Sequence, residues 1–178
     1  MSLTYALIVP ASVLILSVLY NFLWKVIHEY THLGTLKLIV GKELYSYKVR
    51  LTPHYLGTDW VSASVTWNAR KLTKKEHGII AFAPHILEII ACAAFMCSGL
   101  FLLGDFLRDN FYIFFLWATF WFGGCLDLLA AATADSKQSD LIVYSDCYEL
   151  DQFEVRYLCG ACALLSMIAG FLIIFVVL

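Results

Sequence analysis

Charged side chains are scarce in this chain. Lysine, arginine, aspartate and glutamate make up 15% of its 178 residues, whereas hydrophobic residues make up 61% and the mean hydropathy is +0.78. Soluble domains carry about 25% charged residues, so this composition excludes an ordinary soluble domain and indicates an integral membrane protein. The formal net charge is −2, and without a basic surplus we expect no nucleic-acid partner.

Long uncharged runs predict membrane spans. Four segments are apolar enough to cross a bilayer, at about 4–27, 78–103, 111–134 and 155–178. Each has roughly 20 to 27 residues, which covers a hydrocarbon core of about 30 Å with some tilt. The first has no basic stretch before it and no small-residue cleavage site after it, so we expect it to be retained. The sequence predicts an α-helical, multi-pass membrane protein in which residues 1–178 form a single membrane-embedded domain.

A cysteine-based disulfide or metal framework is not evident. Five of the six cysteines lie inside predicted spans, where a buried thiol behaves as a small hydrophobe. Cys159 and Cys162 form a CxxC sequence, but no second pair lies nearby, and we expect neither a zinc nor a redox site there.

Basic residues predict an orientation in the bilayer. Eleven of the twelve lysines and arginines lie in or beside the first and third loops, and Arg108 alone lies in the second. With four spans these two loops share a side, which the positive-inside rule makes cytoplasmic. Both termini are then expected outside.

An HExxH motif, formed by His28, Glu29 and His32, follows the first span. On a helix, residues four apart lie on one face, so the two imidazoles can bind one metal ion from the same side. Glu29 is then placed to take a proton from a metal-bound water as general base. On a soluble helix this pattern is more often a solvated face. At the cytoplasmic membrane boundary, however, ionisable groups are costly unless they are paired, metal-bound or hydrated.

Three further candidate site residues lie inside predicted spans. Asp127 follows Gly123 and Gly124, which allow close approach of another helix, so its carboxylate is a candidate third metal ligand. The alternative is that Asp127 caps an interfacial helix turn. His85 and Glu88 are three apart and share a helix face. They could polarise a substrate, hydrogen-bond a zinc ligand, or pair with each other.

The first and third loops differ in character. Residues 45–51 and 60–67 alternate in polarity and predict a β-hairpin insert, about 45–67, whose edge could dock an extended peptide. Thr73 and Glu76 match a capping box at the start of span two. The acidic third loop, residues 135–154, has no metal-ligand spacing, and we interpret it as solvated surface.

The order of these motifs resembles the site-2 protease superfamily of intramembrane metalloproteases. The shared features are HExxH after the first span, a strand-like insert, Ala83-Pro84 early in the next span, and Gly-Gly-x-x-Asp-Leu-Leu at 123–129. The chain is similar in particular to small bacterial and archaeal membrane proteins described as zincin peptidases. The resemblance covers roughly residues 20–155 of the printed sequence. It departs at Leu128, where the superfamily commonly has glycine, and at His85, where an apolar residue is expected.

This resemblance implies a Zn²⁺ ion held by His28, His32 and Asp127, with Glu29 as catalytic base. It implies intramembrane proteolysis, with a membrane protein or peptide as substrate. One alternative is a catalytically inactive scaffold subunit of a homo- or hetero-oligomeric membrane complex. Another is a haem-binding four-helix protein, for which two histidines on one helix are badly placed and His85 would supply one ligand.

Overall fold

The computed structural model describes residues 3–56, 59–61, 63–98, 104–137 and 139–177. These residues form six α-helices and four short β-strands, with a 3-10 turn after the first helix. The helices are α1 (Leu3–Val40), α2 (Lys74–Cys97), α3 (Gly104–Asp109), α4 (Phe111–Thr133), α5 (Asp140–Tyr148) and α6 (Gln152–Val177). The strands are β1 (Leu44–Arg50), β2 (His54–Leu56), β3 (Asp59–Val61) and β4 (Ser64–Ala69). The described part of the chain is therefore mainly helical, as the sequence predicts.

Three described helices are long and apolar enough to cross a bilayer: Lys74–Cys97, Tyr112–Thr133 and Gln152–Leu172. They correspond to the second, third and fourth predicted spans, and they indicate a membrane protein by length and composition. The first predicted span, 4–27, lies within α1, where many side chains are outside the described residues. A fourth span therefore stays a prediction, as do the cytoplasmic position of the loops and the external position of the termini.

The HExxH motif lies within one uninterrupted 38-residue helix, α1. The helix continues past the motif to Val40 and ends where Gly41 adopts a φ of +54°. Glycine tolerates this left-handed conformation because it has no Cβ. Leu33 and Leu36, in the turn after the motif, are buried against Ile80 of α2. This packing against α2 holds the turn after the motif in its helical geometry.

The insert between α1 and α2 contains two small antiparallel sheets rather than one hairpin. β1 pairs with β4, and β2 pairs with β3. The predicted antiparallel insert is confirmed, but the predicted strand 60–67 is divided between β3 and β4. Pro53 follows β1 and has no N–H to donate to a ladder, so the pairing of the first strand stops near Arg50 and a new pairing begins at His54.

Two glycines bring α4 close to α1, as the sequence predicts. A Cβ atom on Gly124 would lie 2.7 Å from the Trp24 ring, and one on Gly123 would lie 3.1 Å from it. Trp24 is buried, and its indole N–H donates to a backbone carbonyl of α4 at 2.9 Å. Trp24 lies one turn before His28 on the same helix face. The contact therefore directs the next turn of α4, which carries Asp127, toward the motif.

A capping box sets the start of α2. The Glu76 backbone N–H donates to Thr73 Oγ1 at 3.3 Å, and the Thr73 backbone N–H donates to Glu76 Oε2 at 2.8 Å. This confirms the predicted box, which satisfies two N–H groups that the first helical turn leaves without partners. The fixed start determines which α2 residues face α1.

The third loop contains a packed helix, α5, so the expectation of a solvated surface over 135–154 is wrong for this part. Leu141 and Ile142 are buried, and the ring of Tyr144 stacks on Phe82 of α2 at a centroid distance of 4.3 Å. The acidic residues dominate the composition of the loop, but the apolar face of α5 covers α2. The start of α5 consequently reaches the HExxH motif.

Candidate metal centre

The two motif histidines point into the junction of α1, α2 and α5. The ring centroids of His28 and His32 lie 4.9 Å apart. His32 is 8% exposed, and Glu29, between the two histidines, is 7% exposed. Glu29 and His32 are buried and His28 is partly buried, so these ionisable side chains require specific partners, because unpaired polar groups in the interior are costly.

The orientation of His32 depends on a proline in the neighbouring helix. Its Nδ1–H donates to the backbone carbonyl of Ile80 at 2.8 Å, and a carbonyl oxygen can only accept. In a regular helix that carbonyl would accept from the N–H four residues later, but this residue is Pro84, which has none. Pro84 therefore frees the Ile80 carbonyl for His32. The bond leaves the Nε2 lone pair of His32 facing α5.

Pro84→Ala tests this link. The alanine N–H would compete with His32 for the Ile80 carbonyl and loosen the imidazole. Loss of a hydrogen-bonding partner of a metal-binding histidine lowers metal affinity by roughly 10- to 100-fold, and we expect a loss of this size for the Zn²⁺ ion that the resemblance implies. Zinc affinity, measured by competition with a chromophoric chelator, gives the answer, with Pro53→Ala in the β1–β2 connection as the control. Unchanged zinc affinity in Pro84→Ala would contradict the role of the freed carbonyl.

A single buried carboxylate orients two imidazoles. Glu88, 1% exposed, accepts from His28 Nδ1 through Oε1 and from His85 Nδ1 through Oε2, both at 2.9 Å. Two of the contacts considered from the sequence are thus present: His85 pairs with Glu88, and Glu88 accepts a hydrogen bond from the motif histidine His28. As a carboxylate Glu88 only accepts, so each imidazole donates from Nδ1 and keeps its lone pair on Nε2. Carboxylate–histidine pairs of this kind orient metal ligands.

Asp140, the first residue of α5, contacts both motif histidines. Its Oδ2 lies 2.9 Å from His28 Nε2 and 3.2 Å from His32 Nε2. Burial alone would raise the pKa of Asp140, but with both imidazoles protonated, the attraction of His32 and the hydrogen bonds that His28 and His32 donate hold the pKa well below its ordinary value. Sequence reasoning missed this residue. The available signal was Ser139-Asp140 before an apolar run, which is typical of a helix start.

Three acceptor atoms therefore converge between α1 and α5. When neutral, His28 and His32 donate from Nδ1 and offer lone pairs from Nε2, and the Asp140 carboxylate that faces them offers only lone pairs as well. The contacts are favourable only if a cation lies among the three atoms or if both imidazoles carry a second proton. Two extra protons would supply the same charge as one divalent metal ion.

Asp127 reaches the same centre from the other side of His28. Its Oδ2 lies 3.6 Å from His28 Nδ1, and within the described part of the chain it pairs with His28 and not with His32. Asp127 therefore contacts the HExxH motif, as predicted, but only at His28. The contact is to Nδ1, the nitrogen that also contacts Glu88. One ligand atom each from His28, Glu88 and Asp127 lie within 4.8 Å of one another. Asp140, by contrast, faces the Nε2 atoms of both histidines.

A cavity of about 320 Å³ opens beside the motif. Glu29, His32 and Asp140 line one side, and Ser64, Val65 and Trp67 of β4 line another. Among the described strands, β4 pairs with β1 alone. An extended chain lying along β4 would therefore pass close to the Glu29 carboxylate.

Comparison with known proteins found no relative of this chain. No family model, no curated protein and no solved structure matches the chain. The chemistry of the site is therefore inferred from its own residues and their geometry.

Proposed function

We propose that this chain is a membrane-embedded zinc peptidase in which His28, His32 and Asp140 hold the ion and Glu29 is the general base. The observation that carries this proposal is the convergence of two imidazole Nε2 atoms on one carboxylate oxygen, at 2.9 and 3.2 Å. The ligand set differs from the one that the resemblance implies, because Asp140 takes the place of Asp127.

The donor atoms fit zinc. Imidazole nitrogen and carboxylate oxygen are its usual ligands, together with thiolate. Both motif histidines have the Nδ1 hydrogen bond that holds a zinc-binding imidazole in place: His28 to Glu88 and His32 to the Ile80 carbonyl. The ring centroids also fit, since two imidazoles bound to one tetrahedral ion at about 2.0–2.1 Å have centroids about 5 Å apart. The observed separation is 4.9 Å.

A zinc ion supplies a Lewis acid that polarises a peptide carbonyl and makes a bound water acidic near neutral pH. Glu29 takes the proton of the attacking water on its carboxylate and returns it to the leaving amine. Its burial beside the cavity excludes bulk water and keeps the carboxylate within reach of a chain lying along β4.

The substrate class follows from the cavity and the surrounding helices. Because three helices have the length and apolarity of membrane spans, the substrate is a membrane protein or a peptide at the bilayer edge. A helical substrate must unwind before cleavage, since helical packing shields its peptide bonds. The edge of β4 that no described strand pairs with can hold the unwound segment by strand addition. The lysine and arginine distribution supports a position of this chemistry on the cytoplasmic side.

Metal removal tests the proposal. The purified full-length chain in detergent is expected to contain zinc by elemental analysis. It should also cleave fluorescein-labelled casein, lose this activity after dialysis against a chelator, and recover it when zinc is returned. A chain that binds zinc without cleaving casein before or after reconstitution in lipid would favour the inactive scaffold. A chain without bound metal would contradict the zinc peptidase and leave the inactive scaffold as the alternative.

A further inference from the structure

His85 is a fully buried histidine with an unpartnered nitrogen. Its side chain is 0% exposed, and within the described part of the chain its Nε2 has no hydrogen-bond partner. Its Nδ1–H donates to Glu88 at 2.9 Å, so the lone pair lies on Nε2. Buried polar atoms almost always have a partner, and an exception points to an ion or ligand at that position.

The unpartnered nitrogen lies beside His28 and Asp140, two of the proposed ligands. One ring nitrogen each of His28 and His85 and one carboxylate oxygen of Asp140 lie within 4.8 Å of one another. The ring centroids of His28 and His85 are 5.3 Å apart, close to the roughly 5 Å of two imidazoles on one tetrahedral ion. Glu88 holds both rings with its two oxygens and leaves Nε2 as the free nitrogen of each.

We infer that His85 is a further metal ligand, so that the centre takes three imidazoles and one carboxylate, from His28, His32, His85 and Asp140. This inference rests on the metal of the proposed function. The sequence alone left His85 with three other roles: polarising a substrate, hydrogen-bonding a zinc ligand, or simply pairing with Glu88.

The tautomer decides among these roles. A histidine that polarises a carbonyl must donate an N–H to it, but the proton of neutral His85 is on Nδ1, where Glu88 accepts it. Pairing with Glu88 accounts for Nδ1 and leaves Nε2 without a partner. Metal ligation uses both nitrogens of the ring, one toward the carboxylate and one toward the ion.

With His85 the centre has four protein ligands, which affects its coordination number. Zinc sites with four protein ligands are typically structural, whereas catalytic zinc keeps an open position or expands to five ligands. The proposed peptidase is therefore expected to use a five-coordinate centre. The metal would then be bound by three imidazole nitrogens and a carboxylate, whereas a three-ligand site would have two imidazole nitrogens and a carboxylate.

X-ray absorption at the zinc edge of the wild-type full-length protein tests the inference without any substitution. Scattering from three imidazoles is expected. Two imidazoles would overturn the role of His85 but leave the proposed function intact. Absence of bound zinc would overturn both.

Substitution provides the second test. His85→Ala should lower zinc affinity at least as much as the roughly 10- to 100-fold loss caused by removing a hydrogen-bonding partner of a ligand. It should also change the visible spectrum of the cobalt-substituted protein, because one nitrogen ligand is lost. His77→Ala on the same helix is the control, since His77 is exposed and stands edge-on to Trp67. Equal zinc affinity and an identical cobalt spectrum in His85→Ala would overturn the inference.

Discussion

Asp140→Ala is expected to abolish stoichiometric zinc binding, whereas Asp127→Ala should leave zinc bound. Asp140 Oδ2 faces the Nε2 atoms of both motif histidines at 2.9 and 3.2 Å. Asp127 approaches only His28, on Nδ1 and at 3.6 Å. Loss of a direct ligand should weaken binding beyond the roughly 10- to 100-fold loss that follows removal of a ligand's hydrogen-bonding partner. For Asp127→Ala we expect a loss of no more than about 10-fold, because Glu88 still orients His28.

Elemental analysis after gel filtration and zinc titration in detergent distinguish these outcomes. Asp146→Ala is the matched control, since it removes an exposed aspartate from the same helix, α5. Near-UV circular dichroism should show that each variant retains its tertiary packing. If Asp127→Ala loses zinc while Asp140→Ala retains it, the ligand set implied by the resemblance is right and the one proposed from the geometry is wrong.

Glu29→Gln should retain zinc and lose cleavage by about 10²- to 10⁴-fold, the usual contribution of general-base catalysis. The amide has nearly the shape of the carboxylate, so the packing beside the cavity should persist, but glutamine cannot accept the proton of the attacking water. Glu29 is not one of the proposed ligands, which separates this variant from those at Asp140.

The measurement is the turnover number for labelled casein with zinc content determined on the same samples. Glu154→Gln makes the same chemical change at an exposed position of α6 and should cleave at the wild-type rate. Full activity in Glu29→Gln would remove the general base from the mechanism. Loss of both zinc and cleavage would instead assign Glu29 to the metal centre.

Features that depend on local sequence could be predicted. The HExxH helix, the three apolar spans and the capping box at Thr73 each follow from residues that are close together in the chain. The close approach at Gly124 could also be anticipated, because a missing Cβ is a direct property of the residue. These features fix the helices and the motif, but they do not fix which other residues meet it.

The other proposed ligand contacts depend on how the helices pack. Asp140 and His28 are 112 residues apart, and their contact requires α5 to pack on α2 through Phe82 and Tyr144. The composition of the third loop is acidic, and it gave no sign of this packing. The bond from His32 to the Ile80 carbonyl likewise depends on the register between α1 and α2. Pairwise spacing in a single sequence does not determine either arrangement.

The position of Asp140 makes the proposed ion a cross-link as well as a catalyst. It would close two chain loops, since 108 residues separate Asp140 from His32 and 112 separate it from His28. An ion that binds the folded state alone adds its binding free energy directly to stability. Loss of the ion should therefore release the start of α5 first, so that the metal-free form becomes a substrate for proteases at the segment that completes the proposed active site.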